Sequence, residues 1–166
     1  MIEFRHVSFS YDFRGEQEDI RKKDSLRDIN LKVNDGECVL LCGKSGCGKT
    51  TITRLVNGLV PNFYTGKLTG EVLLDGRNIS EMPIYEVASH VGSVFQNPRT
   101  QFFNMDTDSE IAFGMENLAL PRKQIEEKVA STAKDLEIEN LLKRNIFSLS
   151  GGEKQKIAFA SVYAMS

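Results

Sequence analysis

The sequence predicts an α/β fold, in which antiparallel strands lead into a phosphate-binding core and a helical segment follows. Two observations support this class. A glycine-rich loop lies between a short apolar run and a helical pattern, and the segments around it alternate apolar and polar residues as strands do. From residue 105 onward the strand signal fades and a helical spacing of apolar residues takes over. We therefore expect a nucleotide-binding core with an N-terminal antiparallel β subdomain and an inserted α-helical subdomain.

The glycine-rich loop matches the phosphate-loop pattern G-x-x-x-x-G-K-[ST]. It follows the apolar run Cys38–Cys42, which predicts a buried strand, and precedes a predicted helix over residues 51–58. Glycines let the backbone curl so that N–H groups point inward and bind an anion. Lys49 would reach the β- and γ-phosphates, and the Thr50 hydroxyl would hold Mg²⁺. A plain glycine-rich turn is the alternative, but the strand-loop-helix order favours a nucleoside triphosphate site.

The segments before the loop predict an antiparallel hairpin. Residues 2–9 and 26–33 alternate like strands, and the polar residues 12–25 between them predict an exposed connection. Asn34–Glu37 contains Asp-Gly, which is typical of a tight turn. After the loop, residues 70–76 predict a strand and turn, and residues 91–95 predict a strand that ends at Gln96.

Residues 105–147 predict the helical subdomain. Pro121 suits a helix start, and the apolar stripe that follows has the spacing of an amphipathic helix (Ile125, Val129, Thr132, Leu136). The predicted organisation is residues 1–104 for the β subdomain and phosphate-loop core, 105–147 for the helical subdomain, and 148–166 for a second motif and its helix.

Composition describes an ordinary globular protein and excludes several classes. The net charge of −2 gives no basic surface for nucleic acid. The longest apolar runs have about five residues, whereas a membrane span needs about 20. We therefore expect a cytoplasmic protein. Cys38 and Cys42 lie in the predicted buried strand, and the three cysteines with Cys47 lack the spacing of a zinc site or disulfide framework.

The second motif is a serine-glycine corner that opens a helix at residues 148–155. Ser150 and Glu153 have the spacing of a capping box, which would explain the motif by helix capping alone. Glycine N–H groups and a serine hydroxyl at a helix N-terminus also suit an oxyanion. The two interpretations are compatible, and both stay open on the residues alone.

Together the two motifs resemble the ATP-binding subunits of ATP-binding cassette (ABC) transporters. Leu149-Ser150-Gly151-Gly152-Glu153 resembles the family's signature motif, and the phosphate loop lies about a hundred residues upstream, as in the family. Gln96 falls at the position of the glutamine loop and Tyr11 at that of the adenine-stacking aromatic residue. Residues 95–103 look most like the energy-coupling-factor branch, which powers uptake of vitamins and metal ions in prokaryotes.

The resemblance implies a mechanism in which two ATP-binding subunits meet head to tail against a transmembrane transporter subunit, at the cytoplasmic face of the membrane. ATP on one phosphate loop would be covered by the partner's signature motif. Lys49 and Gln96 would be catalytic, and Thr50 and Gln96 would contact Mg²⁺. The residues implied to bind ATP are Tyr11, Gly43, Lys44, Ser45, Gly46, Cys47, Gly48, Lys49, Thr50, Thr51, Ser150, Gly151 and Gly152.

The sequence departs from the family after residue 166, because the family's apolar strand ending in Asp-Glu and its later Asp and His do not appear. We expect the N-terminal part of a longer ATPase that binds nucleotide but does not hydrolyse it alone, with the apolar residues 39–41 left uncovered. Alternatives are a soluble ABC-type ATPase acting on nucleic acid or the ribosome, a non-catalytic nucleotide-binding fragment, and a small-molecule kinase or GTPase. The signature motif argues against the last of these.

Overall fold

A computed structural model describes residues 1–12 and 25–165 of the chain. They form two compact units, Met1–Val91 and Gly92–Ser166, which are described separately. The predicted connection over residues 12–25 falls almost entirely outside the described residues.

The first unit is built on a four-stranded antiparallel sheet. Its strands are β1 (Ile2–Tyr11), β2 (Leu26–Val33), β3 (Gly66–Leu74) and β4 (Arg77–Asn78), in the order β2-β1-β3-β4. The predicted hairpin strands are confirmed, as is the turn at Asn34–Glu37, where the Glu37 N–H donates to the Asn34 carbonyl at 3.1 Å. β3 begins four residues earlier than the sequence predicts.

A bulge in β1 decides which of its side chains are buried. His6 has φ +50°, and the pairing register shifts between Arg5 and Ser8. The extra residue breaks strict alternation, so the buried residues are Phe4, Val7 and Phe9. They pack with residues of three helices: α1 (Lys49–Val56), α2 (Leu59–Asn62) and α3 (Ile84–His90). The confirmed helix α1 is thereby fixed against the sheet at the end of the phosphate loop.

Two predicted strands are wrong. Residues 38–42 and 91–95 form no strand, and no neighbouring strand pairs with them among the described residues. An apolar run becomes a strand only where another strand takes up its N–H and C=O groups. The expected burial of Cys38 and Cys42 is therefore also wrong, since all three cysteines are exposed. Leu40 is 84% exposed, as expected for an uncovered apolar segment.

The second unit is a helical cluster of α4 (Thr107–Asn117), α5 (Arg122–Asp135) and α6 (Gly151–Tyr163). The predicted stripe on α5 is confirmed, because Val129 and Thr132 are buried and Ile125 and Leu136 pack against the same core. Pro121 stands at the N-cap of α5. Short 3₁₀ turns complete the unit at Pro98–Thr100, Glu139–Leu141 and Ile146–Ser148.

Candidate functional site

The phosphate loop curls through three left-handed glycines. Gly43, Gly46 and Gly48 have φ of 150°, 79° and 99°, a region that residues with a side chain adopt at a cost. A Cβ at Gly43 would lie 2.7 Å from the Cys47 sulfur, and one at Gly48 would lie 2.6 Å from the Ser25 carbonyl oxygen. The tight turn therefore requires glycine at both ends, as the motif predicts.

Lys49 folds back over the loop that it closes. Its Nζ donates to the Gly43 carbonyl at 2.8 Å and to the Lys44 carbonyl at 2.9 Å. The same residue begins α1, and the N-cap Gly48 has no side chain to accept a bond from the first turn. The first-turn N–H groups of α1 and the Lys49 ammonium group thus belong to the same end of the helix, which suits the negative charge of a triphosphate.

The Thr50 hydroxyl is the one oxygen of the loop motif that the sequence assigns to Mg²⁺. Thr50 is exposed in the first turn of α1, next to Lys49. Mg²⁺ commonly takes one or two protein oxygens and completes its shell with substrate phosphates and water. Over residues 1–12 and 25–165 no group of three or more His, Cys, Asp or Glu side chains could hold a metal by itself. Thr50 by itself would thus give Mg²⁺ a single protein ligand, which is compatible with a metal ion that is held mainly by nucleotide phosphates.

Tyr11 lies beside α1, in the same unit as the loop. Its hydroxyl is 3.2 Å from Thr51 Oγ1 and accepts a bond from Arg54 Nη1 at 3.1 Å. The Arg54 guanidinium stacks on the Tyr64 ring, 3.9 Å from its centroid. The sequence motifs predict roles for Tyr11 and Thr51 but give none for Arg54 and Tyr64. The spacing of Arg54 three residues after Thr51 places both on one helix face and is a signal that could have found Arg54.

Gln96 belongs to the second unit, so the structure describes it separately from the phosphate loop. It is exposed and lies two residues before the 3₁₀ turn at Pro98–Thr100. Asn97 is extended, with φ −107° and ψ 101°, as expected before a proline, and its side chain accepts from the Arg99 N–H. The segment before Gln96 is not a strand, and its last N–H, that of Phe95, donates to Gln101 Oε1 at 3.0 Å.

The signature motif forms the predicted capping box at the start of α6. The Ser150 N–H donates to Glu153 Oε2 at 2.7 Å, and Ser150 Oγ accepts from the Glu153 N–H at 3.4 Å. The backbone bond from Ser150, then its hydroxyl and Arg144, lowers the pKa of Glu153. Ser150, Gly151 and Gly152 are exposed, and a Cβ at either glycine would meet open space. This corner is therefore accessible to another molecule.

Lys154, for which the sequence predicts no role, is a buried lysine that stabilises the backbone of that corner. Its side chain is 5% exposed, and its Nζ donates to the carbonyls of Phe147, two residues before the motif, and of Leu149, the first residue of the motif. A charge run such as Glu153-Lys154 is normally solvated, so the sequence gives no sign that this lysine is buried.

Within the described residues no helix has the length and apolar character of a membrane span. The model of the family described as ABC transporter matches residues 26–166. A putative ABC transporter ATP-binding protein of Treponema denticola is 56% identical over 99% of this chain and 32% of its own length. The chain thus spans about a third of the length of this relative.

A second relative is the putative HMP/thiamine import ATP-binding protein YkoD of Bacillus subtilis. It is 39% identical over 99% of this chain and 29% of its own length. The solved structure of cbiO1 from Clostridium perfringens, part of the ABC transporter complex cbiONQ, superposes with a TM-score of 0.80. It is 26% identical, over 99% of this chain and 61% of that one. The phosphate loop, the signature corner and these matches lead to one conclusion: the chain belongs to the ABC transporter family.

Proposed function

We propose that this chain is the nucleotide-binding part of a transporter ATPase, which binds Mg-ATP at residues 43–50 and hydrolyses it in the full-length protein. The observation that carries the proposal is the curled loop with Lys49 folded across it. Three glycines hold the backbone in that curl, and the ammonium group is bonded to two carbonyls of the loop itself.

Each loop residue has a role that follows from its position. Lys49 exchanges its carbonyl acceptors for β- and γ-phosphate oxygens, a change from neutral to charged acceptors that strengthens its hydrogen bonds. The backbone N–H groups of Lys44, Ser45, Gly46 and Gly48 would bind phosphate oxygens, as would that of Cys47, which in this structure donates to the Lys44 carbonyl at 3.3 Å. Thr50 offers its hydroxyl to Mg²⁺, which when bound neutralises charge on the phosphates. Tyr11 provides the ring on which adenine stacks.

The exposed signature corner supports a second ATP-binding subunit as partner. Ser150, Gly151 and Gly152 would contact the γ-phosphate held by that subunit, and Gln96 would contact Mg²⁺ or the attacking water. The open space around both glycines allows such an approach. The related cbiO1 is part of the transporter complex cbiONQ, which supports a transmembrane subunit as a further partner.

We further propose that the transporter imports a vitamin or a metal ion and that this chain works at the cytoplasmic face of the membrane. Support for import comes from the name of the Bacillus relative, which describes thiamine import, and from the resemblance of residues 95–103 to the uptake branch.

The first test replaces Lys49 by Met in the full-length protein. ATP affinity, measured by calorimetry with Mg²⁺ present, should fall roughly 10- to 150-fold, because charged hydrogen bonds contribute about 1.5–3 kcal/mol. Steady-state phosphate release at this site should fall at least as far. Lys123→Met, at an 88% exposed lysine on α5, is the matched control and should change neither.

An unchanged affinity in Lys49→Met would contradict nucleotide binding at this loop. The transport role has its own test, in cells that carry Lys49→Met in the chromosomal gene. Uptake of one labelled vitamin or divalent metal ion from a panel should drop, while uptake of the others and of amino acids stays unchanged. Normal uptake across the whole panel would contradict the import function.

A further inference from the structure

Four contacts fix the side chain of Tyr11. Phe9 and Tyr64 meet its ring edge-on, with centroids 4.8 Å and 6.3 Å away and interplanar angles of 84° and 83°. Its hydroxyl lies between Thr51 Oγ1 at 3.2 Å and Arg54 Nη1 at 3.1 Å. Both polar partners belong to α1, the helix that begins at the end of the phosphate loop. The orientation of the ring is therefore tied to the helix that binds phosphate.

Arg54 is the centre of this arrangement. It donates to the Tyr11 hydroxyl and at the same time lies flat on the Tyr64 ring, at 3.9 Å. A guanidinium group combines planar stacking with directed N–H donors, whereas a lysine ammonium offers only a compact charge. Arg54 thus holds two aromatic side chains in fixed relation to α1, although it is six residues from the last glycine of the loop.

We propose that Arg54 is a positioning residue for the nucleobase: through the Tyr11 hydroxyl and the Tyr64 ring, it holds Tyr11 in the orientation that stacks on adenine. The proposal rests on the proposed function, because it takes Tyr11 as the base platform of the ATP site. A platform that is already ordered loses less side-chain freedom when the base binds. Arg54 therefore contributes to base binding without touching the phosphates.

The consequence is a split between two ligands that share the phosphate loop. ATP uses both the loop and the base platform, whereas inorganic tripolyphosphate uses the loop alone. In the full-length protein, Arg54→Met should weaken ATP binding roughly three- to tenfold, the value of one hydrogen bond. Tripolyphosphate affinity should stay within a factor of about two. Arg54→Lys, which keeps a donor and a cation over Tyr64, should restore part of the ATP affinity.

A double-mutant cycle tests whether Arg54 affects ATP binding through the Tyr11 hydroxyl or independently of it. Tyr11→Phe keeps the ring and removes the hydroxyl that Arg54 contacts, so it should weaken ATP binding by a similar factor. The Arg54→Met, Tyr11→Phe double variant should be no weaker than either single variant, because both remove one interaction. If the double variant loses the product of the two single effects, the two residues act independently and the proposal is overturned.

Two other results would also overturn it. An equal loss of ATP and tripolyphosphate affinity in Arg54→Met would assign Arg54 to the phosphates or to folding of the loop, and no loss for either ligand would remove its role. Arg122→Met, at a 92% exposed arginine on α5, is the matched control and should bind both ligands as the wild type does. If circular dichroism shows Arg54→Met unfolded, Arg54→Lys and Tyr11→Phe carry the same comparison.

The wild type separates this inference from the function on which it rests. Wild-type binding of both ligands, lost in Lys49→Met, supports the nucleotide site itself. Wild-type protein that binds neither ligand overturns both proposals. Wild-type protein that binds both, together with an Arg54→Met variant that binds both equally well, overturns only the positioning role.

Discussion

The phosphate loop and the signature corner are both glycine-rich turns that open a helix, yet their helix N-termini are satisfied in different ways. At α1 the N-cap is Gly48 in a left-handed conformation, which offers no side-chain acceptor to the first turn. At α6 the N-cap is Ser150, whose hydroxyl accepts from the Glu153 N–H while the Glu153 carboxylate accepts from the Ser150 N–H.

The lysine of each turn, Lys49 or Lys154, also has a different environment. Lys49 donates to two carbonyls of its loop and is partly exposed, whereas Lys154 donates to two carbonyls at its corner and is buried. The first turn can therefore exchange its internal contacts for an anion, and the second is held rigid by its own side chains. The difference supports the proposal that α1 begins at a phosphate site and that α6 begins at a surface for a second subunit.

The largest loss of stability should come from adding a side chain at a glycine of the phosphate loop that is packed against backbone. Gly48→Ala places a methyl group 2.6 Å from the Ser25 carbonyl oxygen, in addition to a φ of +99°. It should destabilise α1 by about 3 kcal/mol, the sum of backbone strain and overpacking. Gly46→Ala has φ +79° but meets open space, so it should cost only about 1 kcal/mol. Amide hydrogen exchange of α1 measures both. Equal losses would show that steric space does not matter at Gly48.

The next effect should come from the support of the signature corner. Lys154→Met removes the donor to the Phe147 and Leu149 carbonyls, and a buried unpaired carbonyl costs about 1–3 kcal/mol. Faster amide exchange over residues 147–155 should report a loss of about 2 kcal/mol. Lys156→Met changes an exposed lysine on the same helix and should stay within about 0.5 kcal/mol. Equal protection in both variants would contradict a supporting role for Lys154.

The smallest effect should be a pH dependence confined to the first turn of α6. The Ser150 bonds lower the pKa of Glu153 below its ordinary value near 4.5, so the folded state favours the carboxylate. This contribution is complete above that value and is lost as the pH falls through the lower folded pKa. Exchange protection of the turn, corrected for intrinsic exchange rates, should decline there in the wild type. In Glu153→Gln it should vary less, and equal pH profiles would contradict the assignment.

Local patterns in the sequence predict much of this structure. Alternation places both hairpin strands, the stripe on α5 is buried as its spacing indicates, and the Ser150–Glu153 spacing forms the capping box. These features depend on contacts within a few residues or on one buried face. That is why they can be inferred without knowing the rest of the fold.

The failures have the opposite character. Leu40 lies in an apolar run whose composition favours a strand. A strand also needs a neighbouring strand to pair with, and residues 38–42 do not specify one. Arg54 contacts Tyr11 across 43 positions of sequence, and a polar residue on a helix gives no sign of such a partner. Contacts at long sequence separation decide both features, and a single sequence does not reveal them.

The bonds from Lys49 to its own loop carbonyls have a consequence for how ligands of different charge compete. Because two neutral oxygens already hold the ammonium group, a weakly charged anion gains little by replacing them, whereas a polyphosphate gains two charge-assisted bonds. If residues 43–50 bind nucleotide as proposed, Lys49 would favour densely charged ligands: a dilute monovalent anion would leave its carbonyl bonds in place, and a polyphosphate would replace them.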